Sequence, residues 1–569
     1  MHNLIFVLLR RLHLPLILLI TVYAISIIGF VLIPGVDDQG KPWRMDFFHA
    51  FYFVSYMGTT IGFGELPYSF TDGQRMWTLF TIYSTVIAWL YGISALLTTL
   101  QDPGIRKQIT TSAFLRSILR INEPFYIVCG YGDTGSMLVT AFNEVGIKAV
   151  VIEIEQTRID ELDLADFDMV MPGLCADASE PDNLIRAGLK NKHCIGMVSL
   201  TNNDSVNLKI SITSKLLNPG IRIISRAESR DVAANILSFG TDYVINPFDV
   251  FSDRLSMALH SPGFYLLDEW MTSVPHEALT EPLFPPRGKW ILCGYGRFGK
   301  SVYSGLVQED MEITIIEADP EVTGAPSDVI VGRGTEAETL LEADIENAVG
   351  IVAGTNDDAN NLSIILTAKQ LNPKIFLVAR QNMSSNDIIF QTAELDLVMR
   401  RGSVTAHTIF AIIRTPLLKT FLEKARENDN EWANRLVSRI TGVVGDEAPV
   451  IWVINITRDL NPGVYSCLQQ MMDVSLSNLY QDPRNREKKL ECIPLLHYRG
   501  GYSIVLPDDA MDVIDGDQIL FCGHPHARNI MQRHLQNENV FKYILTGEEH
   551  ASSYIGKFLT RRKEEQAGL

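Results

Sequence analysis

The chain has 569 residues, of which 46% are apolar and 20% charged; it holds enough apolar material for several cores, which excludes a disordered or fibrous chain. A net charge of −18 excludes the basic footprint of a nucleic-acid binder, and seven scattered cysteines without a C-x-x-C pair speak against a disulfide framework or zinc ribbon and fit a reducing compartment. The charge is split unevenly, +3 over residues 1–122 and −21 over residues 123–569.

The head reads as a membrane domain. Residues 14–34 form an apolar run broken only by Thr21 and Ser26, and residues 77–100 form a second with no charged side chain. At ~1.5 Å per residue each reaches the ~30 Å of a bilayer core. Arg10 and Arg11 precede the first run; Arg106, Lys107, Arg116 and Arg120 follow the second; Lys41, Arg44 and Arg75 lie between. This bias puts both chain ends in the cytoplasm. A cleaved signal peptide is the alternative for the first run, opposed by the second span. Neither span carries an arginine ladder, so intrinsic voltage sensing is not expected.

Between the runs, residues 43–56 (WRMDFFHAFYFVSY) are aromatic and too short to cross, as in a re-entrant segment. They lead into Thr59, Thr60, Ile61, Gly62, Phe63, Gly64 and Glu65. Non-helical backbone at membrane depth survives only when buried in protein or lining a watery path, and alternating glycines let successive carbonyls point one way. Residues 60–65 (TIGFGE) resemble the potassium-channel signature TVGYGD, with Ile61, Phe63 and Glu65 replacing valine, tyrosine and aspartate. The resemblance implies K+ as permeant ion and four chains around one pore. It also implies a selectivity filter over Thr60, Ile61, Gly62, Phe63 and Gly64, lined by the carbonyls of the first four and the Thr60 hydroxyl. Phe63 lacks the tyrosine hydroxyl that braces such filters. The second run would then line the pore. The hinge glycine of relatives falls on Ser84, and Gly92 is the only glycine in the run. Gly92 is either a bend or a site of close helix packing; Leu96, Leu97 and Leu100 are either a dewetting constriction or lipid-facing.

The body contains a tandem repeat. A strand, residues 125–129, runs into Gly130, Tyr131, Gly132, Asp133, Thr134 and Gly135, then a helical pattern and a second strand ending at Glu153. Residues 289–293 repeat it, with Gly294, Tyr295, Gly296, Arg297, Phe298 and Gly299, and Glu317 at the end of the next strand. In both copies the glutamate lies 23 positions after the first glycine, as G-x-G-x-x-G and its ribose carboxylate require. The offset is 164 residues; Asn207 then parallels Asn361, and Arg226 parallels Arg380. These segments resemble RCK domains, regulators of K+ conductance. The chain is thereby identified as resembling prokaryotic two-span potassium channels with tandem RCK domains.

The fold expected is a membrane α-helical pore domain with two spans, a re-entrant pore helix and a filter, then two α/β Rossmann-like RCK domains and a small α+β C-terminal lobe. The boundaries read as a pore domain 1–100, a linker 101–122, RCK domains 123–275 and 288–445, a lobe 446–545 and a tail 546–569. The resemblance implies a homotetramer in the lipid bilayer of a bacterial inner (cell) membrane. Its eight RCK domains would form a ring that pulls the linker.

Glu153 and Glu317 accept ribose hydroxyls and repel a 2′-phosphate, which favours NAD or an ADP-type nucleotide over NADP as gating ligand. Around the first cleft stand Gly130, Gly132, Asp133, Thr134, Gly135, Glu153 and Arg226, with Asp177 placed there by the resemblance. Around the second stand Gly294, Gly296, Arg297, Phe298, Gly299, Glu317 and Arg380, with Arg333 as counterpart of Asp177. Arg297 makes the second copy the better phosphate site, whereas Asp133 adds negative charge to the first; either cleft could be vestigial. The acidic clusters Asp160, Glu161 and Asp163; Asp253; Glu342, Asp344 and Glu346; and Glu548 and Glu549 offer oxygens for Ca2+ but lack EF-hand spacing and read more simply as solvated faces. Histidine spacing assigns no metal. Three functions compete. A ligand-gated potassium channel explains every motif. A membrane-anchored nucleotide-binding subunit of a cation transporter leaves the filter loop idle. An NAD-dependent oxidoreductase finds no proton-transfer residue, so no enzyme activity is expected.

Overall fold

The computed structural model describes residues 2–64, 68–101, 103–272, 281–445 and 447–548, with backbone alone at 2–11, 100, 103, 105–109 and 401. It divides at Arg120 into two compact units.

The first unit is helical. Helix α1 is His2–Leu32, α2 Phe47–Gly58, α3 Asp72–Gln101 and α4 Pro103–Leu119. The stretch read from sequence as a linker is therefore largely helix. Two segments, Leu12–Leu32 and Asp72–Thr99, are long and apolar enough to cross a membrane. Ile17, Ile20, Ile28 and Leu32 of α1 and Tyr83, Ile87 and Leu90 of α3 are more than half exposed, a surface suited to lipid or to further copies of the chain. The inner faces pack around Phe30, Phe53, Val54 and Tyr56, with the Phe30 and Phe53 rings edge-on at 4.9 Å. Gly29 lets α3 lie close on α1: a Cβ there would stand 2.0 Å from the Trp77 indole, whose Nε1 donates to the Ser26 carbonyl at 3.0 Å.

The second unit begins with a six-stranded parallel sheet: β1 Phe125–Cys129, β2 Lys148–Glu153, β3 Gly173–Cys175, β4 Cys194–Ser199, β5 Arg222–Arg226 and β6 Tyr243–Ile245. The spatial order is β3-β2-β1-β4-β5-β6. Buried on both faces, β1 reads FYIVC with every residue inside, as parallel sheets require. Helix α5, Asp133–Glu144, follows β1. After β6 come α6, Pro247–His260, and α7, Pro262–Thr272. The second repeat has β7 Lys289–Cys293, α8 Arg297–Gln308, β8 Glu312–Glu317, β9 Ile330–Val331, β10 Gly350–Ala353, β11 Phe376–Gln381 and β12 Leu397–Arg400. Its order, β9-β8-β7-β10-β11-β12, reproduces the first. Helices α9, Arg401–Arg414, α10, Pro416–Ala425, and α11, Asn430–Val444, follow.

The repeats exchange helices. Helix α6 packs on α8 of the second repeat, and α9 packs on α5 of the first. Ser252 Oγ donates to the Ser301 carbonyl at 2.6 Å. Ala406, Ile409, Phe410 and Ile413 complete the core around Leu138 and Phe142. The two sheets thus form one body in which each repeat closes the other.

An antiparallel sheet ends the unit: β13 Val450–Asn455, β14 Cys492–Arg499, β15 Tyr502–Val505 and β16 Gln518–Gly523, in the order β13-β16-β14-β15. One face meets α12, Pro525–Gln536, and α13, Glu538–Thr546, through Trp452, Phe521, Met531 and Phe541. The other meets α7, α10 and α11 through Phe264, Phe421, Leu436, Leu495 and Leu520. The first repeat therefore supplies α7 to the lobe of the second.

His534 of α12 is 2% exposed, with Nε2 bonded to the Leu479 carbonyl at 2.9 Å. Burial pushes its pKa down to about 4, against the raising effect of the Leu479 and Ile530 carbonyls. A histidine whose folded pKa lies below its unfolded value is protonated first in the unfolded chain. Stability is complete above ~6.5 and falls by ~1.4 kcal/mol per unit as pH drops towards 4. Unfolding of this lobe in urea should lose about 2 kcal/mol between pH 7 and 5, and His534→Gln should flatten that slope. An unchanged slope in the variant would place the pH sensitivity elsewhere.

Candidate functional site

In the first unit, Asp46 caps α2 by accepting the His49 N–H at 2.8 Å. Beyond Gly58, the N–H groups of Ile61 and Gly62 both donate to the Tyr56 carbonyl, at 3.0 and 3.2 Å. Residues 60, 62 and 64 have φ of +62°, +65° and +72°, while Ile61 and Phe63 do not share that sign. This alternation is the backbone form that lines up successive carbonyls. The Phe63 ring stands edge-on to Tyr56 at 6.2 Å, a contact that needs no hydroxyl. Glu65 lies outside the described residues. Helix α3 runs as one element through Gly92, where a Cβ would meet nothing within 4 Å. Leu96 and Leu97 are 43% and 52% exposed; the Leu100 side chain lies outside the described set.

In the second unit, the crevice beyond the carboxyl ends of β1 and β4 is where such sheets bind ligands. Here it opens into a cavity of about 750 Å3. Gly130, Gly132, Asp133, Thr134 and Gly135 form its floor, with Glu153, Asp177 and Arg226 around them. A Cβ on Gly135 would stand 2.1 Å from the Gly130 carbonyl oxygen, so only glycine allows the turn to close. Glu153 is 8% exposed, and its carboxylate accepts from the N–H groups of Tyr131, Ile154 and Glu155 at 2.6, 2.7 and 3.0 Å. It is thereby fixed at the edge where a ribose would lie. Asp177 is pinned by the Ser179 N–H at 2.7 Å. Arg226 donates to Asn202 Oδ1 at 3.0 Å and to Glu228.

Sequence alone missed half of this wall. Arg158 reaches the Tyr131 carbonyl at 3.3 Å and pairs with Glu155. The far side comes from the second repeat: Asn382, Ser384, Arg400, Gly402 and Ser403. A Cβ on Gly402 would stand 3.2 Å from Asp133 Cβ, so glycine lets the N-terminus of α9 approach that of α5. Three guanidiniums, Arg158, Arg226 and Arg400, paired with Glu155, Glu228 and Asp387, line one cavity together with the N-termini of α5 and α9, a setting in which a phosphate can compete for them.

The second cleft keeps the framework, but its arginines are already engaged. The Glu317 carboxylate accepts the Tyr295 N–H at 2.5 Å, and a Cβ on Gly299 would stand 2.0 Å from the Gly294 oxygen. Phe298, expected beside a ligand, is fully buried against Phe248 and Phe251 at 5.8 and 5.5 Å. Gly354 makes room for it: a Cβ there would meet the Phe298 ring at 2.8 Å. Phe248, the counterpart of Gly402, covers the Arg380 guanidinium at 4.9 Å. Arg297, expected to meet phosphate, pairs with Glu228 of the first repeat at 2.9 Å. Arg333 is exposed, and Gly296 remains open, with nothing within 4 Å of its Cβ position.

No group of three or more His, Cys, Asp or Glu among the described residues is arranged to hold a metal ion. Asp160 bonds Gln156, and Asp344 bonds Lys289 and Asn347. One member of each of two acidic clusters considered for Ca2+ is thus engaged by protein groups, and Glu549 lies outside the described residues.

The ion channel family model matches residues 17–102, and the TrkA-N domain model matches twice, at 126–247 and 290–401. Potassium channel protein 1 of Methanocaldococcus jannaschii is 24% identical over 293 residues, covering 51% of this chain and 84% of that protein. A Trk system potassium uptake protein TrkA homolog of Pyrococcus abyssi is 35% identical over 137 residues, 22% of this chain and 60% of its own length. Among solved structures, the GsuK channel aligns over 96% of this chain and 100% of its own, with TM-score 0.47 and 15% identity. The GsuK channel bound to NAD aligns over 94% and 99%, with TM-score 0.45 and 14% identity.

Proposed function

We propose that this potassium channel with two TrkA-N domains assembles as four copies around one pore and that an adenine nucleotide, NAD or of the ADP type, in the first cleft sets its open probability. The observation that carries this reading is the cavity of about 750 Å3. It is within the size range of ligand sites, has a fixed carboxylate at its ribose edge, and brings three guanidiniums to where a pyrophosphate would lie. From sequence the second cleft looked the better phosphate site; the pairing of Arg297 with Glu228 and the covering of Arg380 by Phe248 favour the first.

The first cleft is closed by the second repeat, so a bound nucleotide bridges the two and changes their spacing. Eight such domains in a ring pass that change to α3 through the residues joining it to β1. Both chain ends are cytoplasmic, and the filter spans residues 60–64. A ligand drives opening only through its preference for the open ring: tenfold at each of four equivalent sites amounts to ~5.5 kcal/mol.

Recordings from purified protein in planar bilayers under a K+/Na+ gradient test the whole reading, with NAD, ADP and Ca2+ added in turn to the cytoplasmic face. A reversal potential near that of K+ and an open probability that moves with NAD or ADP are expected. Selective currents indifferent to both nucleotides would remove the gating role. Absence of current from nucleotide-bound protein would favour the anchored subunit of a transporter.

A further inference from the structure

Glu228 lies two residues beyond β5 and is not among the residues that line the first cavity. Its side chain is 7% exposed and serves two guanidiniums at once. One carboxylate oxygen accepts from Nη2 of Arg226, and the other pairs with Nη2 of Arg297 at 2.9 Å. Arg226 is in the wall of the first cavity, whereas Arg297 begins α8 of the second repeat. The backbone of Glu228 is fixed as well. Its N–H donates to both oxygens of Asp204 at 3.1 Å, and the Ser229 N–H donates to the same carboxylate at 2.8 Å.

The bridge is one-sided. The second repeat carries Asn382 where the first has Glu228, and the first carries Asp133 where the second has Arg297. Two guanidiniums share one carboxylate, and one of them, Arg226, also lines the cavity. The Arg226 side chain is 3% exposed, and at so poorly solvated a guanidinium a phosphate and a carboxylate compete directly.

We propose that Glu228 is a built-in competitor for a phosphate of the nucleotide bound in the first cleft. The proposal rests on the nucleotide reading given above. A phosphate that takes up Arg226 draws it from Glu228 and leaves that carboxylate to Arg297. Occupancy of the first cleft thereby reaches the second repeat through one side chain. A mere brace for Arg226 would act in the opposite sense, because its loss would weaken ligand binding.

Calorimetric titration of the full-length protein in detergent with ADP separates the two. Glu228→Gln removes the competing charge and should tighten ADP binding about tenfold. Arg297→Gln removes a rival claim on Glu228, strengthens its hold on Arg226 and should weaken ADP binding about threefold. The double variant should bind as Glu228→Gln does, because Arg297 acts through Glu228. Weaker or unchanged binding in Glu228→Gln overturns the proposal. Should that variant fail to fold, Arg297→Gln decides, since its side chain is 60% exposed: unchanged or tighter binding there overturns it. Binding to wild type without a shift in either variant removes this proposal alone. No binding to wild type or to either variant removes the nucleotide reading and this proposal with it.

Discussion

Gly62→Ala is expected to abolish K+ current while leaving nucleotide binding within about twofold of wild type. Gly62 has φ +65°, a conformation that costs an L-residue with a Cβ ~1–2 kcal/mol. In the proposed tetramer the cost is multiplied to ~4–8 kcal/mol. The strain is released by flipping the peptide, which turns a carbonyl away from the ions. Within one chain a Cβ at Gly62 meets nothing within 4 Å, so the unit itself folds around the change. Gly64, at φ +72°, should behave in the same way. The measurement is current per amount of reconstituted protein beside ADP affinity by calorimetry. Current retained above ~1% of wild type in Gly62→Ala would show that residues 60–64 are an ordinary turn and that the head is an anchor.

The parts legible in the sequence are those set by local pattern. Apolar runs of bilayer length mark α1 and α3, and G-x-G-x-x-G with a glutamate 23 residues on marks the β1–α5–β2 and β7–α8–β8 units. Chain direction and hydrogen bonding within ~30 residues decide these. The exchange of α6 and α9 between repeats is not local. It depends on which of two similar sheets buries a given apolar face, and Ala406, Ile409 and Phe410 would suit either. Arg158 and Arg400 were missed for that reason: one is the third residue of an ordinary helix, and the other reaches the first cleft only because α9 crosses over. One signal was available. Thr134 and Leu200 in the first repeat correspond to Phe298 and Gly354 in the second. A large residue gained opposite one lost marks Phe298 as packing rather than ligand contact. Aligning the repeats position by position would have moved the phosphate assignment away from the second cleft.

The asymmetry of the clefts yields the second large effect. Glu153→Gln is expected to weaken NAD binding about tenfold, or ~1.4 kcal/mol, whereas Glu317→Gln leaves it within about twofold. Glutamine keeps one oxygen for the N–H groups of Ile154 and Glu155 but turns an amide donor towards the Tyr131 N–H, so the Gly-rich loop loses one anchor along with the carboxylate acceptor. Charge-assisted bonds to ribose hydroxyls, worth ~1.5–3 kcal/mol each, are then weakened without opening a hole in the core. The loss of charge has a second consequence. A 2′-phosphate is no longer repelled, so discrimination between NAD and NADP should shrink in Glu153→Gln by more than NAD affinity falls. The second cleft offers no parallel, because Phe248 covers Arg380 and Glu228 holds Arg297. One nucleotide per chain is therefore the expected stoichiometry. Two per chain, with Glu317→Gln removing one of them, would mean that Phe248 swings aside on binding and that both repeats read the ligand. The conformational change would then originate at α6 as well as α9, and a single-site account of the gating energy would no longer hold.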